Sequence, residues 1–96
     1  MENIRVLIAE DEGAVREAMA DLVSSDPAME VVGTAADAEE AIQIARTTKP
    51  DVALIDVKMP AGGGPRAARE IRKESPQTHV VALSAYEDRR TVLEML

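Results

Sequence analysis

The sequence predicts one α/β domain built on a doubly wound parallel sheet, and three observations lead there. Short apolar runs alternate with amphipathic helical segments in the order β-α-β-α-β-α-β-α. The third run, Val52 to Ile55, has no polar face, as a central parallel strand covered on both sides requires. Every connection between runs is long enough for a right-handed crossover, so all strand C-termini share one edge of the sheet.

The 96 residues suffice for a single domain near the lower end of the size that supports its own core. Eighteen acidic against eleven basic residues give a net charge of −7, which argues against a grip on a phosphate backbone and suits small cations or a basic patch on a protein partner. Without cysteine there are neither disulfides nor thiolate metal sites. No apolar run approaches the ~20 residues of a membrane span, and Met1-Glu-Asn does not open a signal peptide. A cytoplasmic protein with no membrane contact is expected.

In chain order, Ile4 to Ala9 reads as a first strand that runs into the acidic cluster Glu10-Asp11-Glu12. From Gly13 to Ser25, Val15, Ala18, Met19, Leu22 and Val23 fall on one face of a helix that Ser24-Ser25-Asp26-Pro27 stops. Glu30 to Ala35 is a second strand. Asp37 caps the second helix, with Glu40 three residues on as in a capping box and Ala38, Ala41, Ile42 and Ala45 on the buried face, until Lys49-Pro50 ends it. The third strand delivers Asp56 to the sheet's C-terminal edge. The glycine-rich segment 61–65 reads as a flexible loop with Pro65 at the first helical position; it lacks both the Gly-Lys-Ser/Thr and the G-x-G-x-x-G spacing of phosphate cradles. A third helix from about Pro65 to Glu74 buries Ala67, Ala68 and Ile71, and Ser75-Pro76 stops it. His79 to Leu83 is the fourth strand, with Ser84 at its end and a further helix from about Glu87 through Val92, Leu93 and Leu96. His79, at the opposite edge, reads as a surface residue.

In open α/β sheets, ligands gather outside the carboxyl ends of the strands. If the first, third and fourth strands are neighbours, Glu10, Asp11, Asp56 and Ser84 converge there. Two carboxylates ~4 Å apart repel by roughly 4 kcal/mol at an effective dielectric of about 20, so three require a cation. The all-oxygen donor set favours Mg²⁺. One carboxylate then serves as a nucleophile toward phosphorus, with the Ser84 hydroxyl donating to a phosphoryl oxygen.

The segments Leu7-Ile-Ala-Glu-Asp-Glu12, Pro50-Asp-Val-Ala-Leu-Ile-Asp-Val-Lys-Met-Pro60 and Val81-Ala-Leu-Ser-Ala85 resemble, in order and spacing, the three signature segments of two-component response regulator receiver domains. The resemblance extends over the whole chain. It implies the flavodoxin-like receiver fold with strand order 2-1-3-4, Asp56 as phospho-acceptor, and Mg²⁺ held by Glu10, Asp11, Asp56 and the carbonyl of Lys58. It also implies Ser84 as the switch hydroxyl and a sensor histidine kinase as phosphodonor. Met29-Glu-Val-Val-Gly-Thr34 and Leu83-Ser-Ala-Tyr86 are similar to receivers that precede a LuxR-type output domain, through which alone DNA would be contacted. Glu10 stands where Asp is more usual, which adds a methylene and points to metal contact through a water; Gly63 stands where many receivers carry Asp, removing a cap from the third helix.

By the same resemblance, residues 1–96 form a receiver domain that is incomplete at its C-terminus, since the family's fifth strand, its Lys-Pro motif and its fifth helix would lie beyond Leu96. An enzyme that turns over a substrate is not expected. Two alternatives stand beside the phosphoryl switch. One is a receiver-like module that only dimerises. The other is a Mg²⁺-dependent phosphohydrolase with an Asp nucleophile, against which Lys58 counts because it occupies the position of the second Asp such enzymes usually carry. Helix one alone would have to cover one face of the sheet. Leaving even ~400 Å² of apolar surface in water forgoes about 10 kcal/mol, so either a homodimer that buries this face or a displaced fourth helix is expected.

Overall fold

Each apolar run up to Leu83 is a strand, and each amphipathic segment between them is a helix. The computed structural model describes residues 3–83, with β1 at Ile4–Ala9, α1 at Gly13–Ser24, β2 at Met29–Ala35 and α2 at Ala38–Thr48. These are followed by β3 at Val52–Asp56, a 3-10 turn at Pro60–Gly62, α3 at Gly63–Glu74 and β4 at His79–Leu83. All pairings are parallel and the sheet order is β2-β1-β3-β4, as expected. The order puts β1 and β3 side by side at the centre. Ser84 and the helix expected from about Glu87 lie outside the described residues.

The core lies between the sheet and the α2/α3 layer. Leu7, Ala9, Ala53, Ile55 and Val57 from the β1 and β3 segments meet Ala38, Ala41 and Ala45 of α2 and Ala67, Ala68 and Ile71 of α3. Alanines on both helices let the two pack closely, and every side chain expected on their buried faces is buried. At the start of α2 the Glu40 N–H donates to Asp37 Oδ1 at 2.9 Å, and Glu40 Oε1 accepts from the Ala36 N–H at 2.7 Å. The cap is thus the reciprocal one expected, reaching one residue further back. Lys49 ends α2 in the left-handed region, φ 48°, with its N–H donating to Ala45 O. A buried chain of hydroxyls ties the α3–β4 turn to the foot of β3: Thr78 Oγ1 donates to Pro50 O at 2.6 Å, so Ser75 Oγ donates to Thr78 Oγ1.

The first helix departs from expectation. Among the described residues it packs chiefly on β2 and β1, and it has no buried residue. Its sheet-facing stripe is Arg16, Met19, Ala20 and Val23, all half-buried; of the expected face Met19 and Val23 lie on it, while Val15, Ala18 and Leu22 are exposed. Leu22 is 74% exposed and Val15 38%. The apolar arc on α1 is wider than two strands can cover, and it is rotated so that one ridge points to solvent. On β4, Val81 is 42% exposed.

The segment expected to be a loop is structured. Ala61 and Gly62 are both left-handed, φ 56° and 66°, and form the 3-10 turn. From it α3 starts at Gly63, two residues earlier than expected, and Pro65 becomes its third residue. The position is tolerated because N–H groups of the first turn have no acceptor within the helix. At Gly64 the helix meets the strand end backbone to backbone: a Cβ there would lie 2.8 Å from Asp56 O and from Val57 Cα.

Gly64→Ala is therefore expected to push α3 away from β3 and to lower stability by about 1–3 kcal/mol in urea unfolding. Gly13→Ala, whose new methyl would meet only Arg16 at 3.6 Å, serves as the control and should not destabilise.

Candidate functional site

Parallel register creates the site. Ala9 of β1 pairs with Ile55 of β3, so the next residues, Glu10 and Asp56, leave the sheet at the same level on neighbouring strands. The Glu10 N–H still bonds Ala35 O of β2 at 2.9 Å, which extends strand-like order to the first acid of the cluster. Asp11 follows in the turn before α1. One carboxylate oxygen from each of Glu10, Asp11 and Asp56 lies within 4.8 Å of the others. The three acids expected to converge do so.

Their environments differ. Glu10 is buried, 8% exposed, whereas Asp56 is half-buried and Asp11 exposed. Glu10 Oε2 accepts the Glu12 N–H at 3.0 Å, and Asp56 Oδ1 accepts the Lys58 N–H at 3.1 Å, folding residues 56–58 into a turn that brings the Lys58 backbone beside Asp56. Burial pushes the Glu10 carboxyl up to about 7; the Glu12 N–H opposes the shift, and the adjoining Asp11 and Asp56 carboxylates add to it. Without a cation, part of the repulsion is relieved by a proton on Glu10.

The donor set fits Mg²⁺. Bonds of about 2.1 Å in an octahedron place ligand oxygens about 3 Å apart when adjacent and about 4.2 Å when opposite. A cluster spanning 4.8 Å closes on such an ion with a small inward shift, or holds it partly through water. His79 is exposed at the start of β4, the other end of the sheet, as expected.

Sequence reasoning missed one residue at this site. Arg16, in the first turns of α1, turns back so that Nη1 donates to Glu10 O at 2.8 Å and, more weakly, to Asp11 O at 3.5 Å. The only signal was a basic residue one helical turn beyond an acidic cluster, a pattern too common to single out.

Comparison with known proteins agrees with this geometry. The family model described as "Response regulator receiver domain" matches residues 6–96. The chain is 38% identical over 93 residues to the transcriptional regulatory protein YxjL of Bacillus subtilis, covering 97% of this chain and 43% of that protein. It is 40% identical over 85 residues to the response regulator GacA of Pseudomonas viridiflava, covering 88% and 40%. Among solved structures, the receiver domain of a putative response regulator NarL from Mycobacterium tuberculosis aligns with a TM-score of 0.89 at 30% identity, covering 99% of this chain and 77% of that one. The chain thus spans less than half the length of these curated relatives. Some relatives are enzymes: a protein-glutamate methylesterase of Pyrococcus abyssi is 42% identical over 82 residues, which cover 85% of this chain and 22% of that protein.

For Glu10 the folded carboxyl binds its proton more tightly than the unfolded one, so stability is greatest below the unfolded value of 4.5 and falls as pH rises toward about 7. Glu10→Gln, which keeps an acceptor for the Glu12 N–H, is expected to raise the metal-free protein's stability at pH 8 by on the order of 2 kcal/mol. At pH 4 the gain should vanish; an equal gain at both values would place the effect elsewhere.

Proposed function

This chain belongs to the response regulator receiver domain family, and from that premise we propose that Asp56 is its phospho-acceptor. The observation that carries the reading is the junction of three carboxylates at the ends of β1 and β3, with Asp56 half-buried between the buried Glu10 and the exposed Asp11. Glu10, Asp11, Asp56 and the carbonyl of Lys58 would hold Mg²⁺, which when bound would supply neutralising charge to the phosphoryl oxygens. An Asp56 carboxylate oxygen attacks phosphorus, an O–P bond forms, and the P–N bond of a kinase phosphohistidine breaks with its electron pair going to the imidazole. The Lys58 N–H, bonded to Asp56 Oδ1, orients the carboxylate for attack. Ser84 is proposed as the hydroxyl that reads the phosphorylated state.

The partners follow from the same reading. A sensor histidine kinase is the donor. The regulated output is transcription through a DNA-binding domain of the parent protein, in keeping with relatives named as transcriptional regulators, and the cell compartment is the cytoplasm. Among the described residues no helix is long and apolar enough to cross a membrane. Receiver domains are generally not enzymes, and no turnover is assigned to this one. Neither the phosphohydrolase nor the purely dimerising module is favoured by the relatives. Self-association accompanies the switch reading, because the ridge of Val15, Ala18 and Leu22 is an apolar strip left in solvent.

Incubated with Mg²⁺ and acetyl phosphate, the protein should gain one acid-labile, hydroxylamine-sensitive phosphoryl group. Asp56→Asn should abolish it, and equal labelling of the variant would sink the assignment. Asp11→Ala should weaken Mg²⁺ binding instead. For the oligomer, sedimentation velocity at micromolar concentration is expected to give a dimer that Leu22→Glu shifts toward monomer; identical sedimentation of both proteins would remove α1 from the interface.

A further inference from the structure

The side chain of Arg16 has no evident purpose for the helix that carries it. A cation in the first turns of a helix opposes the positive end of the macrodipole, a small cost rather than a gain. Arg16 nevertheless folds back against the direction of α1 and is half-buried doing so. Its guanidinium reaches the carbonyl of Glu10 at 2.8 Å and that of Asp11 at 3.5 Å. Those carbonyls belong to the two consecutive residues that supply two of the three clustered carboxylates. Bonds from a charged donor are among the stronger hydrogen bonds and fix the peptide plane they hold. Once the carbonyl of Glu10 is drawn toward Arg16, with its N–H committed to Ala35 O, the residue has little rotational freedom left. Glu12 completes the anchoring, since its N–H bonds Glu10 Oε2 while its carbonyl accepts the Arg16 N–H at 2.9 Å.

We infer that Arg16 is a positioning residue of the metal site: by gripping the peptide carbonyls of Glu10 and Asp11 it sets the loop that presents both carboxylates to Asp56, and so raises Mg²⁺ affinity. The inference rests on the phosphoryl-switch reading for the role of the metal, but its own content is the dependence of metal affinity on Arg16. The bonds go to backbone oxygens, so Arg16 leaves the carboxylates available and acts on their placement. Groups that orient metal ligands typically change affinity by about tenfold to a hundredfold when removed.

The test is calorimetric titration of the intact protein with Mg²⁺, with Asp56 labelling followed in parallel. Arg16→Met, which keeps the apolar stem, is expected to raise the Mg²⁺ dissociation constant about tenfold, and Arg16→Lys, which retains a single donor, to fall between it and the parent. Labelling of Arg16→Met by acetyl phosphate should be slow at low Mg²⁺ and return to the parent rate when Mg²⁺ is raised in proportion. A merely structural role predicts a lower unfolding midpoint with unchanged metal affinity. A dissociation constant for Arg16→Met within twofold of the parent value, in a variant whose amide spectrum is native, overturns the inference. Should Arg16→Met not fold, Arg16→Lys decides alone, and parent-like affinity in it overturns the inference equally. These outcomes separate from failure of the switch reading, which appears as Mg²⁺ binding in the parent without any labelling of Asp56.

Discussion

Everything at the functional edge depends on repulsion between like charges that the parallel sheet forces together. Right-handed crossovers and the order β2-β1-β3-β4 bring β1 and β3 into contact, and the pairing of Ala9 with Ile55 leaves Glu10 and Asp56 no choice but to emerge side by side. A fold selected for stability alone would place neutral residues there. Burial of Glu10 sharpens the conflict, because the same apolar surroundings that complete the core penalise its ionised form. The cluster holds unfavourable electrostatic energy that a hard cation would release, so affinity for such an ion would be set by the fold before the ion arrives.

The supporting structure divides by function. The α2/α3 layer, with its alanine seam and reciprocal cap, fixes the height of β3 and, through the contact at Gly64, the position of the backbone around Asp56. Cross-links between the helices are exposed ion pairs, Arg46 with Glu74 and Arg66 with Glu39, which contribute little on their own beside the buried apolar surface. The other face is lightly built. There α1 leans on β1 and β2 through four half-buried residues, and its hold on the acidic turn passes through Arg16.

Much of this was legible in the sequence because its signals were strong and local. Strand positions followed from apolar runs, the cap on α2 from Asp37 and Glu40, and the buried faces of α2 and α3 from residues spaced three and four apart. The convergence of Glu10, Asp11 and Asp56 was legible as well, since parallel topology alone gathers strand ends at one edge. What escaped was set by tertiary context. The rotation of α1 depends on how many strands lie beneath it, which helical periodicity does not encode. The early start of α3 depends on Ala61 adopting a left-handed conformation, which its identity argues against. The role of Arg16 depends on a side chain reversing direction toward backbone carbonyls, and no pattern of residue types announces that.

The uneven packing of α1 has a further consequence for local stability. A helix without one buried residue opens at a lower free energy than the layer across the sheet, so amide exchange through residues 13–24 should be governed by local rather than global unfolding. Asp56 ends a central strand packed under the α2/α3 layer, whereas Asp11 and Arg16 belong to the lightly packed α1 segment. An ion shared between Asp11 and Asp56 would therefore couple two units of unequal depth. Occupancy of the site would be felt chiefly as a slowing of exchange along α1, rather than in the strand that carries Asp56.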